Sequence, residues 1–189
     1  GHYGQTSVAE ICAAVADITG LPEARIFTAS TGVIGEPLPH DRIIAQIKDL
    51  NDGLDATALE AAAEAIMTTD TFAKGASAEV TIGGETVSIA GIAKGSGMIA
   101  PDMATMLVYI FTDAQLPQAA LQAELSRLCD RSFNCITVDS DTSTSDSLML
   151  CATGRSGVSA DNDAGFADAL HKVMLDLAHQ VVRRLVGNP

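Results

Sequence analysis

The chain has 189 residues, 47% of them hydrophobic, which is enough apolar material for a substantial core within the size range of one ordinary domain. Eleven Lys and Arg against twenty-four Asp and Glu leave a formal charge of -13, so a nucleic-acid backbone would meet net repulsion, and no nucleic-acid partner is expected. The apolar runs, such as Met106 to Phe111, are too short for a membrane span, and the N-terminus shows no basic region followed by an apolar stretch; the chain reads as soluble and cytoplasmic.

Taken in chain order, Ser7 to Glu10 has the form of a capping box. Val8, Ile11, Cys12, Val15 and Ile18 then recur at helical spacing until Gly20 supplies a stop. Arg25 to Ala29 is strand-like and runs into Ser30-Thr31-Gly32-Val33-Ile34-Gly35, a loop in which two glycines permit unusual backbone geometry. Helices are expected near Asp41 to Leu50 and Ala56 to Met67. Val80 and Ile82, then Gly83-Gly84, then Val87 and Ile89 form the pattern of a hairpin with a turn suited to positive φ. Thr105 to Phe111, Cys135 to Val138 and Leu148 to Ala152 are strand candidates, and Gln118 to Arg131 and Asp161 to Val186 helices. The mixture predicts a layered α+β architecture in one compact unit, with no internal repeat and no linker.

Cys12, Cys129, Cys135 and Cys151 show no CxxC spacing, and the histidines do not accompany them in a zinc-like pattern, so no metal is expected. Each cysteine falls in a predicted helix or strand and reads as a small buried apolar residue in a reducing compartment.

The chemistry-bearing segment is GIAKGSGMIAPDMATML, Gly91 to Leu107. A phosphate loop would need its Lys directly after the last Gly and before Ser or Thr; here Lys94 precedes Gly95, and the match fails. Thr105 opens a strand, where the stiff χ1 of a β-branched residue would hold its hydroxyl. Threonine is a poor nucleophile without a base, but an N-terminal Thr carries one in its α-amine, which titrates near about 8. Without further context, an ordinary strand threonine exposed on one face is the better explanation of Thr105, and spacing does not settle the matter.

The run KGSGMIAPDMATML (residues 94–107) is similar to the self-processing segment of the ornithine acetyltransferase (glutamate N-acetyltransferase) family, within the N-terminal-nucleophile-like group. ASTGVIGEPLP (29–39), AIMTTDT (65–71) and RSFNCITVDSDTSTSDS (131–147) join it in that family's order. The resemblance covers essentially the whole chain; Gly1 to Thr6 match least well, and Asp102 stands where many relatives have Asn.

The resemblance implies a layered αββα-type sandwich, of which residues 1–189 are the central part of one acetyltransferase unit. It implies autocatalytic cleavage between Ala104 and Thr105, giving 1–104 as part of an α chain and 105–189 as the start of a β chain, assembled as an α2β2 heterotetramer. Thr105 would then take an acetyl group from N-acetylornithine and pass it to glutamate in a ping-pong reaction of arginine biosynthesis, without a cofactor. Acetyl-CoA is an alternative acetyl donor in the family's bifunctional members. By the same matching Thr31 and Gly32 form the oxyanion hole, Gly32 by close approach of its N–H and Thr31 by its hydroxyl, and Thr68 and Lys94 contact substrate beside Thr105. Lys94 suits the α-carboxylate common to ornithine and glutamate.

Asp139 to Asp146 (DSDTSTSD) fails as a calcium loop, since Thr144 holds the glycine position and Leu150 the glutamate position. The same segment faintly resembles that of haloacid-dehalogenase-like phosphatases, with Asp139 and Asp141 as the paired aspartates, and this is the runner-up reading. A third reading is a non-catalytic portion of the family fold, because the family's sequences continue beyond Pro189 into further substrate-binding residues.

Overall fold

In the computed structural model the described residues are 2–32, 35–95, 105–137 and 145–183. The chain divides into two compact units, 1–58 and 59–189, although nothing in the composition around Ala58 and Leu59 marks a boundary.

The first unit is built on α1 (His2–Thr19) and α2 (His40–Asp52), with a 3-10 turn at Glu23–Arg25 between them. Ile11, Cys12 and Ile47 are its buried apolar residues. Ser7 is not a cap: α1 already runs from His2, and the Ser7 hydroxyl donates to the Tyr3 carbonyl four residues back (3.0 Å) while lying 3.0 Å from His40 Nδ1. The hydroxyl serves the packing of the two helices instead. Gly20 does stop α1, at φ 73° with its amide donating to Ala16 (2.8 Å). The strand expected at Arg25 to Ala29 does not form; the polar Glu23-Ala24-Arg25 run closes a short 3-10 turn, and residues 26–30 are irregular. Val33 and Ile34, in the expected special loop, lie outside the described residues.

The second unit opens with α3 (Leu59–Ala65), shorter than expected because Thr57 and its own amide bond Asp55 in a local turn that delays the start. There follow β1 (Lys74–Ile82), β2 (Glu85–Lys94), β3 (Leu107–Thr112), α4 (Gln118–Cys129), β4 (Ser147–Ala152) and α5 (Ala164–Val182). The strands form one sheet in the order β1-β2-β3-β4. The first two pairings are antiparallel; β4 pairs parallel to β3, α4 carrying the chain back between them. Gly83 (φ 61°) and Gly84 (φ 91°) make the hairpin turn, where two consecutive positive φ values match the twist of the flanking strands. The expected strand at Cys135 to Val138 is absent from its described part, where Phe133–Cys135 wind into a 3-10 turn held by Ser132; Val138 is not among the described residues.

The core lies between the sheet and α5. Phe166, Leu170, Val173, Met174, Leu177, Ala178 and Val181 recur at helical spacing along one stripe of α5 and pack with Val87, Ile89 and Ala93 of β2, Val108 and Ile110 of β3, and Leu128 of α4. Asp163 caps α5, accepting from the Phe166 amide at 2.8 Å. Near its other end, the Gln180 side chain accepts from the Gly75 amide (3.2 Å) and donates to the Gly75 carbonyl (2.9 Å), tying the helix to β1. The α+β class read from the sequence holds, with one sheet and helices packed on it among the described residues. Of the cysteines, all four are free thiols, but only Cys12 is buried; Cys135 and Cys151 are exposed, because one lies in the 3-10 turn and the other on the edge strand β4. No helix among the described residues is long and apolar enough to cross a membrane.

Alternation along β2 turns Ile89, Gly91 and Ala93 toward α5 and leaves Ile92 and Lys94 on the opposite face. Gly91 permits the close approach of helix to sheet: a Cβ there would meet Ile110 Cγ1 and Leu177 Cδ1 at 3.0 Å and the Tyr109 carbonyl oxygen at 3.2 Å. Gly91→Val is expected to lower the unfolding free energy by about 1–3 kcal/mol through overpacking, measured by urea denaturation; an unchanged midpoint would contradict the tight contact.

Candidate active site

The hairpin brings its two ends together. Lys74, the first residue of β1, is opposite Ala93, and Lys94, the last of β2, is opposite Leu107 at the start of β3. The turn leaving α3, residues 66–73, runs to the same end of the sheet, so Thr68, Asp70, Lys74 and Lys94 converge there with the residues preceding β3.

Asp70 is the centre of this cluster. Its side chain is fully buried and pairs with the Lys74 ammonium, itself 1% exposed. Asp70 Oδ1 also accepts the Gly95 amide (2.8 Å), and Oδ2 accepts the Thr68 amide (3.2 Å). Lys74 Nζ further stands 4.7 Å from the centre of the Phe72 ring. Among the described residues no buried side-chain nitrogen or oxygen lacks a partner, so the charges are removed from water but compensated. Burial alone would raise the Asp70 pKa; the hydrogen bond from Lys74, the Gly95 and Thr68 amides and the Lys74 charge outweigh it and hold the carboxyl below its usual range.

Lys94 is completely buried and donates from Nζ to Thr68 Oγ1 at 3.3 Å. Desolvation pushes its pKa down; attraction to Asp70 and Asp146 opposes this, and repulsion from Lys74 adds to it. The Lys94 side chain is thus shielded from solvent, and its electrostatics are set by Asp70, Asp146 and Lys74. Gly95, at φ 141°, lies flush against Met106, where an added Cβ would sit 3.4 Å from Met106 Cα. Thr105, the residue before Met106, is buried at 7% exposure and lies two residues ahead of β3, which begins at Leu107 rather than at Thr105 as the sequence suggested. The backbone just past it is fastened twice: the Met106 amide donates to Asp146 Oδ1 (2.8 Å) and the Met106 carbonyl accepts from Ser147 (3.0 Å).

Of the residues singled out by the sequence, Thr68, Lys94 and Thr105 therefore come together at one end of the sheet. Thr31 and Gly32 belong to the first unit, Thr31 half-buried and Gly32 exposed. Gly32 has no positive φ, and a Cβ on it would meet no heavy atom within 4 Å. Ala104, Asp139 and Asp141 lie outside the described residues. The sequence reading missed Asp70, Lys74 and the contact of Asp146 with Met106. Asp70 stood within the AIMTTDT segment and Lys74 four residues beyond it, a spacing too common to single out without knowing that both are buried.

Other concavities lie elsewhere: one of about 270 Å³ is bordered by α4 and the start of α5, including Glu124 and Phe166, and another by Gln115, Pro117 and Thr153. Among the described residues one group has metal-ligand proximity, Glu10, His40 and Asp41, with ligand atoms within 4.8 Å of one another. His40 Nε2 is 2.9 Å from Glu10 and its Nδ1 faces Ser7, an arrangement that joins α1 to α2.

The α+β sheet thus gathers at one end a buried lysine, a buried carboxylate and a buried threonine two residues ahead of β3. The model of the ArgJ family matches residues 1–185, and the chain belongs to that family, as the four segments of sequence resemblance indicated. It is 72% identical over 183 residues to the arginine biosynthesis bifunctional protein ArgJ of Ruegeria pomeroyi, covering 97% of this chain and 45% of that protein. It is 52% identical over 189 residues to the protein of the same description from Gluconobacter oxydans, with the same shares covered. The crystal structure of arginine biosynthesis bifunctional protein argJ from Bacillus halodurans is 40% identical and covers 55% of each chain, with a TM-score of 0.46. The chain spans about half the length of the curated relatives it matches.

The Asp70 carboxylate carries a pH signature. Its folded-state pKa lies below the ordinary 3.8, so its contribution to stability is complete above that value and is lost as pH falls through the lower, folded-state pKa. Unfolding free energy measured from pH 7 down to pH 2 is expected to decline at the acid end, with a shallower decline in Asp70→Asn, which has no carboxyl to titrate. Equal acid slopes in the two proteins would contradict the assignment.

Proposed function

We propose that this chain is part of a self-processing acyltransferase in which Thr105 carries an acetyl group from N2-acetyl-L-ornithine to L-glutamate. The observation that carries the reading is the convergence of Thr105 with buried Lys94 and Thr68 at the start of β3. Membership of a family whose relatives are described as arginine biosynthesis proteins supports it.

The chemistry runs in three stages. The Thr105 hydroxyl attacks the carbonyl carbon of residue 104, the acyl group shifts from nitrogen to oxygen, and hydrolysis of that ester frees Thr105 as an N-terminus. Its α-amine then serves as the base that its hydroxyl lacked, since a terminal amine titrates near about 8 where an amide does not titrate. The hydroxyl attacks the acetyl carbonyl of acetylornithine; the C–N bond breaks, the proton passes to the leaving amine, and ornithine departs from an acetyl ester on Thr105. The amine of glutamate attacks that ester, and the C–O bond breaks to restore the hydroxyl. Because both steps exchange one amine for another at the same carbon, one site serves both without a cofactor, and an acetyl-CoA thioester could enter at the first step in place of acetylornithine.

Lys94 is the partner of the substrate α-carboxylate, with Thr68 holding its ammonium. Thr31 and Gly32 are the oxyanion donors in this reading. The assembly in this reading is an α2β2 heterotetramer of the two cleavage products, acting in the cytoplasm.

Thr105→Ala is expected to leave one uncut chain by denaturing mass spectrometry and to abolish acetyl transfer, since one hydroxyl serves both reactions; two fragments from this variant would sink the proposal. Thr31→Val keeps the branched shape and removes the hydroxyl donor, so turnover of processed enzyme is expected to fall about a hundredfold with folding nearly unchanged. Turnover within a few-fold of the parent in a folded, processed Thr31→Val enzyme removes Thr31 from the mechanism.

A further inference from the structure

We propose that Asp70 is the positioning residue of this site: its buried carboxylate joins the Thr68 turn to the Lys94–Gly95 strand end and, with Lys74 as its counter-charge, sets where the Lys94 ammonium meets a substrate carboxylate. The proposal rests on the acetyltransferase reading for the identity of the substrate, and on geometry for the role.

The three groups that bond Asp70 come from three different stretches of chain. The Thr68 amide belongs to the turn after α3, the Lys74 ammonium to the first residue of β1, and the Gly95 amide to the residue just past β2. One carboxylate thus fixes the backbone at Thr68, whose hydroxyl accepts from Lys94, and the backbone at Gly95, next to Lys94 itself. Both ends of the Lys94–Thr68 hydrogen bond are held by the same two oxygens. Gly95 in turn lies against Met106, so the fixed point extends to the residue following Thr105.

The cost of this arrangement argues for function. Burying a carboxylate and an ammonium is costly for each ion, and replacement of such a pair by packed apolar side chains is often neutral or stabilising. Stability alone does not require ions at positions 70 and 74, and the α5 face of the sheet already supplies an apolar core. Charge does matter to Lys94, which faces Asp70 and Asp146 as attracting groups and Lys74 as a repelling one. Removing Asp70 alone leaves Lys94 beside an uncompensated Lys74; removing both restores near neutrality but not the two amide bonds to a charged acceptor.

The test compares the full-length processed protein with its Asp70→Asn and Asp70→Asn/Lys74→Met variants. Acetyl transfer from N-acetylornithine is followed across pH, and the Lys94 side chain is titrated through its 13Cε resonance. In Asp70→Asn, KM for acetylornithine is expected to rise at least about tenfold with kcat within about threefold, as for loss of an interaction made equally in ground and transition states. The alkaline limb of kcat/KM and the Lys94 titration are expected to move together to lower pH. In the double variant the titration returns toward the parent while KM stays raised. A merely structural Asp70 predicts a displaced titration as well, through lost charge alone, but recovery of KM together with stability in the double variant. A folded Asp70→Asn protein with unchanged Lys94 titration and KM overturns the proposal. If Asp70→Asn does not fold, the double variant decides, and a parental KM in it overturns the proposal. If the parent protein transfers no acetyl group, the functional reading fails by itself; the Lys94 titration then judges Asp70, and an unmoved titration in folded Asp70→Asn overturns its role.

Discussion

The buried pair of Asp70 and Lys74 is the constraint on which the candidate site depends. Water is excluded from both groups, so neither can trade its partner for solvent, and each must be satisfied by the fold. The carboxylate meets that demand by collecting donors from a turn and from two strand ends, which obliges those segments to converge. The convergence delivers Lys94 and Thr68 to the residues that begin β3. Geometry at this end of the sheet is thus a consequence of electrostatics, while geometry at the α5 face is a consequence of apolar packing.

The division between these two halves also explains what the sequence could reveal. The hairpin was legible because Gly83-Gly84 between alternating residues encodes both the period and the turn, and α5 because an apolar stripe sustained from Phe166 to Val181 overwhelms local ambiguity. Arg25 to Ala29 and the described part of Cys135 to Val138 are not strands, for a common reason. A short apolar run carries β propensity but has no say over whether a neighbouring strand is available to pair with it, and such availability is a property of tertiary structure. Ser7 was misread similarly: Ser followed by Glu three residues later has the form of a cap, but the helix had begun upstream, leaving the hydroxyl to bond backward and sideways.

Thr68, Lys94 and Thr105 are candidates through resemblance in long segments rather than through residue chemistry, for a lone threonine or lysine is ordinary by itself. Asp70 and Lys74 were not legible because their significance lies in burial. An aspartate four residues before a lysine is a surface pair in most chains; here the same spacing spans a turn and a strand start, and the carboxylate has no exposed surface.

The clasp between Gln180 and Gly75 bears on how the sheet ends. Among the described residues β1 is an outer strand, and an outer strand presents unpaired amides and carbonyls that invite another strand to add. At Gly75 both groups are already taken by a side-chain amide, which supplies one donor and one acceptor in the manner of a neighbouring backbone but offers no continuation beyond itself. Gln180 therefore acts as a one-residue counterfeit strand: it closes the border of the sheet at the end nearest Lys74, so that recruitment of a stray strand there would first have to displace a helix side chain.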